Sequence, residues 1–189
     1  MGAFPPDAAP ARTAAGRPNA TETDLKSIYL AGFDVFRPDA REWGETLKDL
    51  CSKYGFEGLY PLDNAAPRNL AGAELALWIY RANIGLIERA DLVMANVNAF
   101  RGAEPDSGTI FEVGYATALG KPVWCHTHEG RPLVQQVGAT RMPGSGIYAD
   151  TLGYTVEDYG LNLNLMIACS AQVVIGNEED CLSDMAAHA

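Results

Sequence analysis

The chain has 189 residues, 48% of them hydrophobic, and a formal net charge of −10 at pH 7. That length and apolar content suit one globular domain with a core of its own. The negative charge argues against nucleic acid or an anionic membrane as a partner, because both would repel an acidic surface.

The composition changes at both ends of the chain. Residues 1–24 are rich in Ala, Pro, Gly and Thr and lack periodicity, so we predict a disordered N-terminal tail there. Residues 176–189 are polar, and we predict a flexible C-terminal tail. The folded domain is then expected to span residues 25–175.

Sequence features of secreted, membrane and zinc proteins are missing. The N-terminus has no apolar signal core, and no apolar run approaches the ~18 residues of a membrane span. The four cysteines match no CxxC pattern, and the three histidines lack further ligands at zinc-binding spacing. We therefore expect a cytoplasmic protein without a metal ion.

Strand and helix patterns alternate through the predicted domain. Short β-prone runs predict four strands, at residues 26–31, 56–61, 92–97 and 122–125. Helical spacing of apolar residues and composition predict helices at residues 40–54, 71–89, 109–119 and 156–171. This alternation predicts a single-domain α/β fold, a doubly wound parallel sheet of the flavodoxin or Rossmann type with helices on both faces. Ligands of such folds bind beyond the carboxyl ends of the strands, where we expect the loops after the first three strands to converge.

Two carboxylates flank a predicted loop-to-helix corner in the segment 101–116. Asp106 lies in the loop and Glu112 in what reads as the first helical turn. Such a pair suits cleavage of a glycosidic bond, in which one carboxylate attacks or stabilises the anomeric carbon and another acid protonates the leaving group. The spacing also fits a capping box from Thr109 to Glu112 with Asp106 as a turn residue. A first-turn glutamate left free of capping would be held ionised by the helix dipole.

Several separated motifs, in the right order between about residues 27 and 166, resemble the nucleoside 2-deoxyribosyltransferase family. Single motifs carry little weight, whereas their order along most of the predicted domain is specific. The motifs are Ile28-Tyr29-Leu30-Ala31-Gly32 with Asp34-Val35-Phe36, Tyr60-Pro61-Leu62-Asp63, Asn83-Ile84 with residues 90–95, Asp106-Ser107-Gly108-Thr109 with Phe111-Glu112-Val113-Gly114 and residues 120–123, and Asn164-Leu165-Met166.

The resemblance implies three catalytic residues. Glu112 matches the nucleophile, which would attack C1′ of the deoxyribose and hold the sugar as a glycosyl ester. Asp106 matches the acid that protonates the leaving base and deprotonates the incoming one. Tyr29 matches the tyrosine whose hydroxyl orients the nucleophile.

The resemblance also implies substrate-binding residues and an assembly. Asn83 would lie near the base, and Gly32 and Gly108 belong to the motifs around the site. Asn164 would reach into the neighbouring subunit's site to bind the sugar hydroxyls, with Met166 beside it, so a homo-oligomer is expected.

The implied ligands are 2′-deoxyribonucleosides and free nucleobases, and no cofactor is expected because the chain would supply both acid and nucleophile. The sequence has no GxGxxG motif after the first strand and no GxxxxGKS or GxxxxGKT motif, which agrees with that expectation.

Two departures from the family pattern and two alternative functions stay open. Phe33 stands where close relatives would carry Pro, which would reshape the base pocket, and residues 126–154 have no counterpart, so a lid or a determinant of base choice is expected there. A deoxynucleoside or deoxynucleotide N-glycoside hydrolase could use the same fold. The loop 32–37, with an acidic residue and two aromatics, suits a phosphate poorly. A non-catalytic nucleoside sensor is the second alternative.

Overall fold

Residues 25–188 are described by the structure, a computed structural model. The predicted tail at residues 1–24 therefore lies outside the described residues. Within residues 25–188, no helix combines the length and the apolar character needed to cross a membrane.

Strands and helices alternate along the described chain, with short 3-10 helices after the first two strands. The strands are β1 (Lys26–Gly32), β2 (Phe56–Leu59), β3 (Leu92–Asn96), β4 (Val123–Thr127), β5 (Thr140–Arg141), β6 (Tyr148–Ala149), β7 (Thr155–Val156) and β8 (Gln172–Ile175). The helices are α1 (Ala40–Lys53), α2 (Gly72–Arg89), α3 (Ser107–Ala118), α4 (Leu133–Gln136), α5 (Leu165–Ala168) and α6 (Glu178–His188).

Five strands form one parallel sheet in the order β2-β1-β3-β4-β8, which confirms the predicted fold class. A separate three-stranded antiparallel sheet joins β5, β6 and β7. The order of the large sheet reverses direction at β1: the chain moves outward to β2 and then returns to β3 on the other side. In open parallel sheets, such a reversal of strand order marks the place where a ligand-binding crevice lies, at the carboxyl edge of the sheet.

Helices cover both faces of the large sheet, because side chains of a strand alternate between its two faces. On β1, Tyr29 and Ala31 pack in a buried cluster with residues of α2, α3 and α5. Ile28 and Leu30 pack in a second cluster with residues of α1 and α6. Both faces of β1 are thus buried, which explains why its sequence is almost continuously apolar.

The C-terminal part of the chain differs from the prediction. The helix predicted over residues 156–171 is wrong: Thr155–Val156 forms β7, Gly160 has a φ of 72°, and helical structure is confined to α5. A left-handed backbone at Gly160 cannot continue a right-handed helix.

The predicted flexible tail at residues 176–189 is also wrong, and the folded domain extends beyond residue 175. Residues 178–188 form α6, and Leu182 and Met185 are 0% and 1% exposed. Together with Cys181, these two side chains complete the core over Ile28 and Leu30. The polar residues of α6 lie on the face of the helix that is exposed to solvent.

Candidate active site

The carboxylate of Glu112 projects from α3 toward β1 and is half-buried. Tyr29 Oη donates a hydrogen bond of 2.5 Å to Glu112 Oε1, and Asn83 Nδ2 of α2 donates a longer one of 3.5 Å to the same oxygen. Three elements far apart in sequence therefore meet at one carboxylate. The resemblance grouped these three residues, and the structure brings them together.

Glu112 takes no part in capping its own helix, so the capping-box interpretation is wrong. The N-cap residue of α3 is Asp106, which places Glu112 beyond the first turn. The expectation that the helix dipole holds Glu112 ionised is also corrected, because the dipole acts mainly within the first turn.

Burial raises the pKa of Glu112 to about 7, and the nearby charge of Asp106 adds to that rise, while hydrogen bonds from Tyr29 and Asn83 oppose it. The pKa of Tyr29 lies well above its usual range, because its hydroxyl is buried and faces the Glu112 carboxylate. Tyr29 therefore keeps its proton and acts as a donor, while Glu112 changes its charge near neutral pH.

Asp106 caps α3 and borders the same space as Glu112. Its Oδ2 accepts hydrogen bonds from the backbone nitrogen of Thr109 at 3.0 Å and from Thr109 Oγ1 at 3.2 Å. Gly108 follows closely, and a Cβ at that position would lie 3.0 Å from Asp106 Oδ2. The structural role foreseen for Asp106 at the start of the helix is thus present, and it coexists with a position at the site.

A cleft of about 400 Å³ opens above Glu112. Its walls come from the loops after β1 and β2, from α2, and from the start of α3, as expected for convergent loops at the carboxyl edge of a parallel sheet. The volume falls within the range of about 300–1,000 Å³ typical of small-molecule sites. The other lining residues are mainly apolar and include Val35, Phe36, Leu62, Trp78 and Ile79.

Gly32 lines the cleft at the end of β1, where any side chain would collide with its surroundings. A Cβ there would lie 2.7 Å from Asp34 Oδ2 and 3.0 Å from Asn96 Cβ. Gly32 pairs with Asn96 of β3, and Asn96 Nδ2 donates a hydrogen bond of 2.8 Å to Asp34 Oδ2. The glycine therefore lets the loop after β1 close tightly against β3.

Asn164 and Met166 do not line this cleft. Asn164 is the N-cap residue of α5: its Oδ1 accepts from the backbone nitrogen of Met166 at 3.0 Å, and its Nδ2 donates to Glu157 Oε1 at 2.9 Å. The side chain of Met166 is 73% exposed. Asn164 is half-buried and Met166 is exposed, and their assignment to a neighbouring subunit's site stays a prediction.

Two polar residues of the cleft were missed by the sequence analysis. Asn64 lines the cleft, and its Nδ2 is buried without a hydrogen-bond partner in residues 25–188. Arg41 also lines the cleft, and its Nη1 donates to the carbonyl oxygen of Leu62 at 3.3 Å. The position of Asn64 directly after the Tyr60–Asp63 motif was the signal that could have found it.

An aromatic stack joins the loops that leave β1 and β3. The ring of Phe100 lies 4.7 Å from that of Phe33 and 5.5 Å from that of Phe36, both nearly parallel to it. The Arg101 guanidinium lies 4.6 Å from the Phe100 ring centre. Phe33 therefore packs between the loops, and Phe36 is the aromatic side chain of this stack that borders the cleft.

Residues 126–154 do not line the cleft that contains Glu112. Thr127, Glu129, Arg131, Leu133 and Gln136 line a separate cavity of about 160 Å³. The expected lid or determinant of base choice is therefore not seen over the cleft of the same chain. Within residues 25–188, no three side chains of His, Cys, Asp or Glu are grouped to hold a metal ion.

Known proteins resemble this chain over most of its length. A model of the nucleoside 2-deoxyribosyltransferase family matches residues 28–166. An uncharacterised protein of Schizosaccharomyces pombe is 33% identical over 165 residues, which is 79% of this chain and 78% of that protein. A solved 2-desoxiribosyltransferase from Leishmania mexicana is 34% identical with a TM-score of 0.69, over 86% of this chain and 98% of that one. A conserved protein from Enterococcus faecalis shares the fold, with 22% identity and a TM-score of 0.56 over 87% and 99% of the two chains.

Proposed function

Because the chain belongs to the nucleoside 2-deoxyribosyltransferase family, we propose that it transfers the 2-deoxyribosyl group of a 2′-deoxyribonucleoside to a free nucleobase by double displacement. In the first step, a Glu112 oxygen bonds to C1′ while the bond from C1′ to the base nitrogen breaks. The leaving base takes the electron pair of that bond and a proton from Asp106, which carries this proton when the nucleoside is bound and becomes a carboxylate as the base leaves. The product is a free base and a deoxyribosyl ester of Glu112.

The second step runs the same chemistry in reverse with another base. The incoming base attacks C1′ through a ring nitrogen, whose proton passes to Asp106, and the ester bond breaks to return the Glu112 carboxylate. Tyr29 holds the nucleophile through its short hydrogen bond in both steps. The reaction needs no cofactor, because acid, base and nucleophile all belong to the chain.

The observation that carries this proposal is the environment of Glu112. A half-buried carboxylate that lines a cleft, held by Tyr29 and Asn83 and not used as a helix cap, is available to bond with a ligand. The apolar walls with Phe36 and Trp78 suit the flat face of a nucleobase. A 2′-deoxy sugar suits the mechanism, because a 2′-hydroxyl withdraws electrons and destabilises an oxocarbenium-like transition state.

The proposal extends to an assembly. Met166 is exposed on α5, and the rings of Phe111 and Tyr80 are exposed next to the cleft wall at Ile79. Phe111 also stacks on the half-buried Tyr115. Such a patch beside a site supports a subunit contact through which a neighbour's Asn164 completes the sugar pocket. The four cysteines are free, as in proteins of a reducing compartment, which supports cytoplasmic nucleoside salvage.

The test uses Glu112→Gln, which keeps the size of the side chain and removes its nucleophilic charge. Wild-type protein incubated with deoxyinosine and adenine should form deoxyadenosine, detected by chromatography, and the variant should lose at least about a thousandfold in rate. With donor alone, mass spectrometry of denatured wild-type protein should show a deoxyribose adduct on the peptide that contains Glu112.

Glu88→Gln is the matched control, because Glu88 also accepts a tyrosine hydrogen bond, from Tyr115, but lies on the exposed surface. Release of deoxyribose without new nucleoside would support the hydrolase instead. Absence of product with every donor and acceptor would support the sensor. Full transfer by Glu112→Gln would remove this residue from the mechanism.

A further inference from the structure

Three residues that line one small cavity each carry a buried polar atom without a hydrogen-bond partner. The three atoms are Trp43 Nε1 on α1, Tyr60 Oη after β2, and His126 Nδ1 on β4. Within residues 25–188, no protein group bonds to any of the three. Buried polar groups are nearly always hydrogen-bonded, and each one left alone destabilises the fold, so three at one place indicate a shared partner.

The size of the cavity restricts that partner. Its volume is about 10 Å³, at the lower end of the range that holds one water molecule. Asp34 and Asn96 also border it, so the lining offers several polar groups. An organic ligand or a hydrated ion is too large for this space.

The three atoms offer complementary roles to one water molecule. Trp43 Nε1 is a donor only, whereas the Tyr60 hydroxyl can both donate and accept. Burial lowers the pKa of His126 to about 4, so its ring is neutral at pH 7 and one ring nitrogen is an acceptor. A water oxygen can therefore accept from Trp43 while its protons bond to His126 and Tyr60.

A glycine within α1 makes room for this arrangement. A Cβ at Gly44 would lie 2.4 Å from Cδ1 and 2.5 Å from Cε1 of Tyr60. Glycine destabilises a helix interior relative to alanine, so its presence here reflects the close approach of the ring. The Tyr60 ring packs against the helix and brings its hydroxyl to the cavity.

We propose that this cavity is a binding site for a single ordered water molecule that bridges Trp43, Tyr60 and His126. The water joins α1, β4 and the end of β2 beneath the cleft. Tyr60 directly precedes Pro61 and Asp34 directly precedes Val35, and both Pro61 and Val35 line the cleft. The bound water is thus a fixed part of the support under two cleft walls.

A crystal structure of the wild-type protein, at a resolution that shows ordered solvent, tests the proposal directly. We expect one spherical density peak in the cavity, with contacts of about 2.7–3.2 Å to the three atoms. The proposal is overturned if the cavity holds no density, if the three side chains bond to one another directly, or if the peak carries the anomalous signal of a metal.

The sign of a stability change gives a second test. In Tyr60→Phe, the water loses a partner, and the equilibrium constant for unfolding should rise about tenfold in urea titrations. Tyr54→Phe is the control, because the Tyr54 hydroxyl bonds to Glu179 near the surface. In this variant the equilibrium constant for unfolding should change no more than about twofold. A more stable Tyr60→Phe would overturn the proposal, because removal of a truly unpartnered hydroxyl relieves its burial penalty.

Discussion

The surroundings of Glu112 have opposing effects on its pKa: some raise it and others lower it. Burial and the charge of Asp106 favour the protonated acid, whereas the hydroxyl of Tyr29 and the amide of Asn83 favour the anion. The balance places the pKa at about 7. A carboxyl group with this pKa is only partly ionised at neutral pH, whereas an exposed glutamate is almost fully ionised. In the proposed mechanism, the higher basicity makes the ionised carboxylate a stronger nucleophile.

This balance predicts the pH dependence of transfer. We expect kcat/KM to rise between about pH 5 and about pH 8 with a midpoint near the Glu112 pKa, because the protonated carboxyl cannot attack. Tyr29→Phe removes a hydrogen bond that favours the anion, so its midpoint should move to higher pH. Initial rates at low donor concentration across that range measure both values.

Tyr115→Phe is the control for the pH experiment, because its hydroxyl bonds to Glu88 outside the cleft, and its midpoint should match the wild type. A midpoint unchanged in Tyr29→Phe would contradict the assignment.

At the scale of residues, the family motifs predicted Tyr29 and Glu112 as site residues, and the structure places the two side chains in contact. The raised pKa of Glu112 could not be predicted, because it depends on burial that appears only in three dimensions. Asn64 was missed because no periodicity marks a loop amide.

Among the elements, the helices around the first four strands were predicted well and the C-terminal ones were not. Strong apolar spacing defined α1 and α2 to within about two residues. The start of α3 was predicted at Thr109, yet it begins at Ser107 because Asp106 is the cap. The last helices were obscured because α5 is only four residues long and α6 has few apolar residues among acidic ones.

The role of α6 in the core can be measured with Leu182→Ala. Leu182 is fully buried against the face of the sheet that carries Ile28 and Leu30, so we expect a loss of about 2–5 kcal/mol in the free energy of unfolding. Leu152→Ala is the matched control: Leu152 is 80% exposed, and its replacement should change stability by less than about 0.5 kcal/mol. Equal stability of the two variants would mean that α6 contributes nothing to the core.

At the scale of the whole molecule, the strand order explains how distant segments form one site. The reversal between β1 and β3 brings the loops after β1 and β2 and the start of α3 around one crevice. The alternation of strands and helices was sufficient to predict this crevice, although the edge strand β8 was missed. The same reasoning could not locate Asn164 and Met166 relative to Glu112, since the alternation of strands and helices carries no information about contacts between subunits.

Subunit complementation tests whether a neighbour completes the site. Co-expressed Glu112→Gln and Asn164→Ala chains should regain about one quarter of wild-type activity, because a site is intact when its own chain supplies Glu112 and the neighbour supplies Asn164. The measurement is the rate of transfer per total chain in purified mixed oligomers. Activity equal to the average of the two separate variants would contradict a shared site.

Asp106 is the last residue of the loop before α3, and its carboxylate both caps that helix and borders the cleft. Exchange for alanine would weaken the helix by about 1 kcal/mol even if catalysis were ignored. If Asp106 also acts as the proposed acid, its replacement lowers both the stability of α3 and the rate of transfer. Ile79 is a better position for changing the shape of the cleft, because its side chain lines the cleft and is 44% exposed.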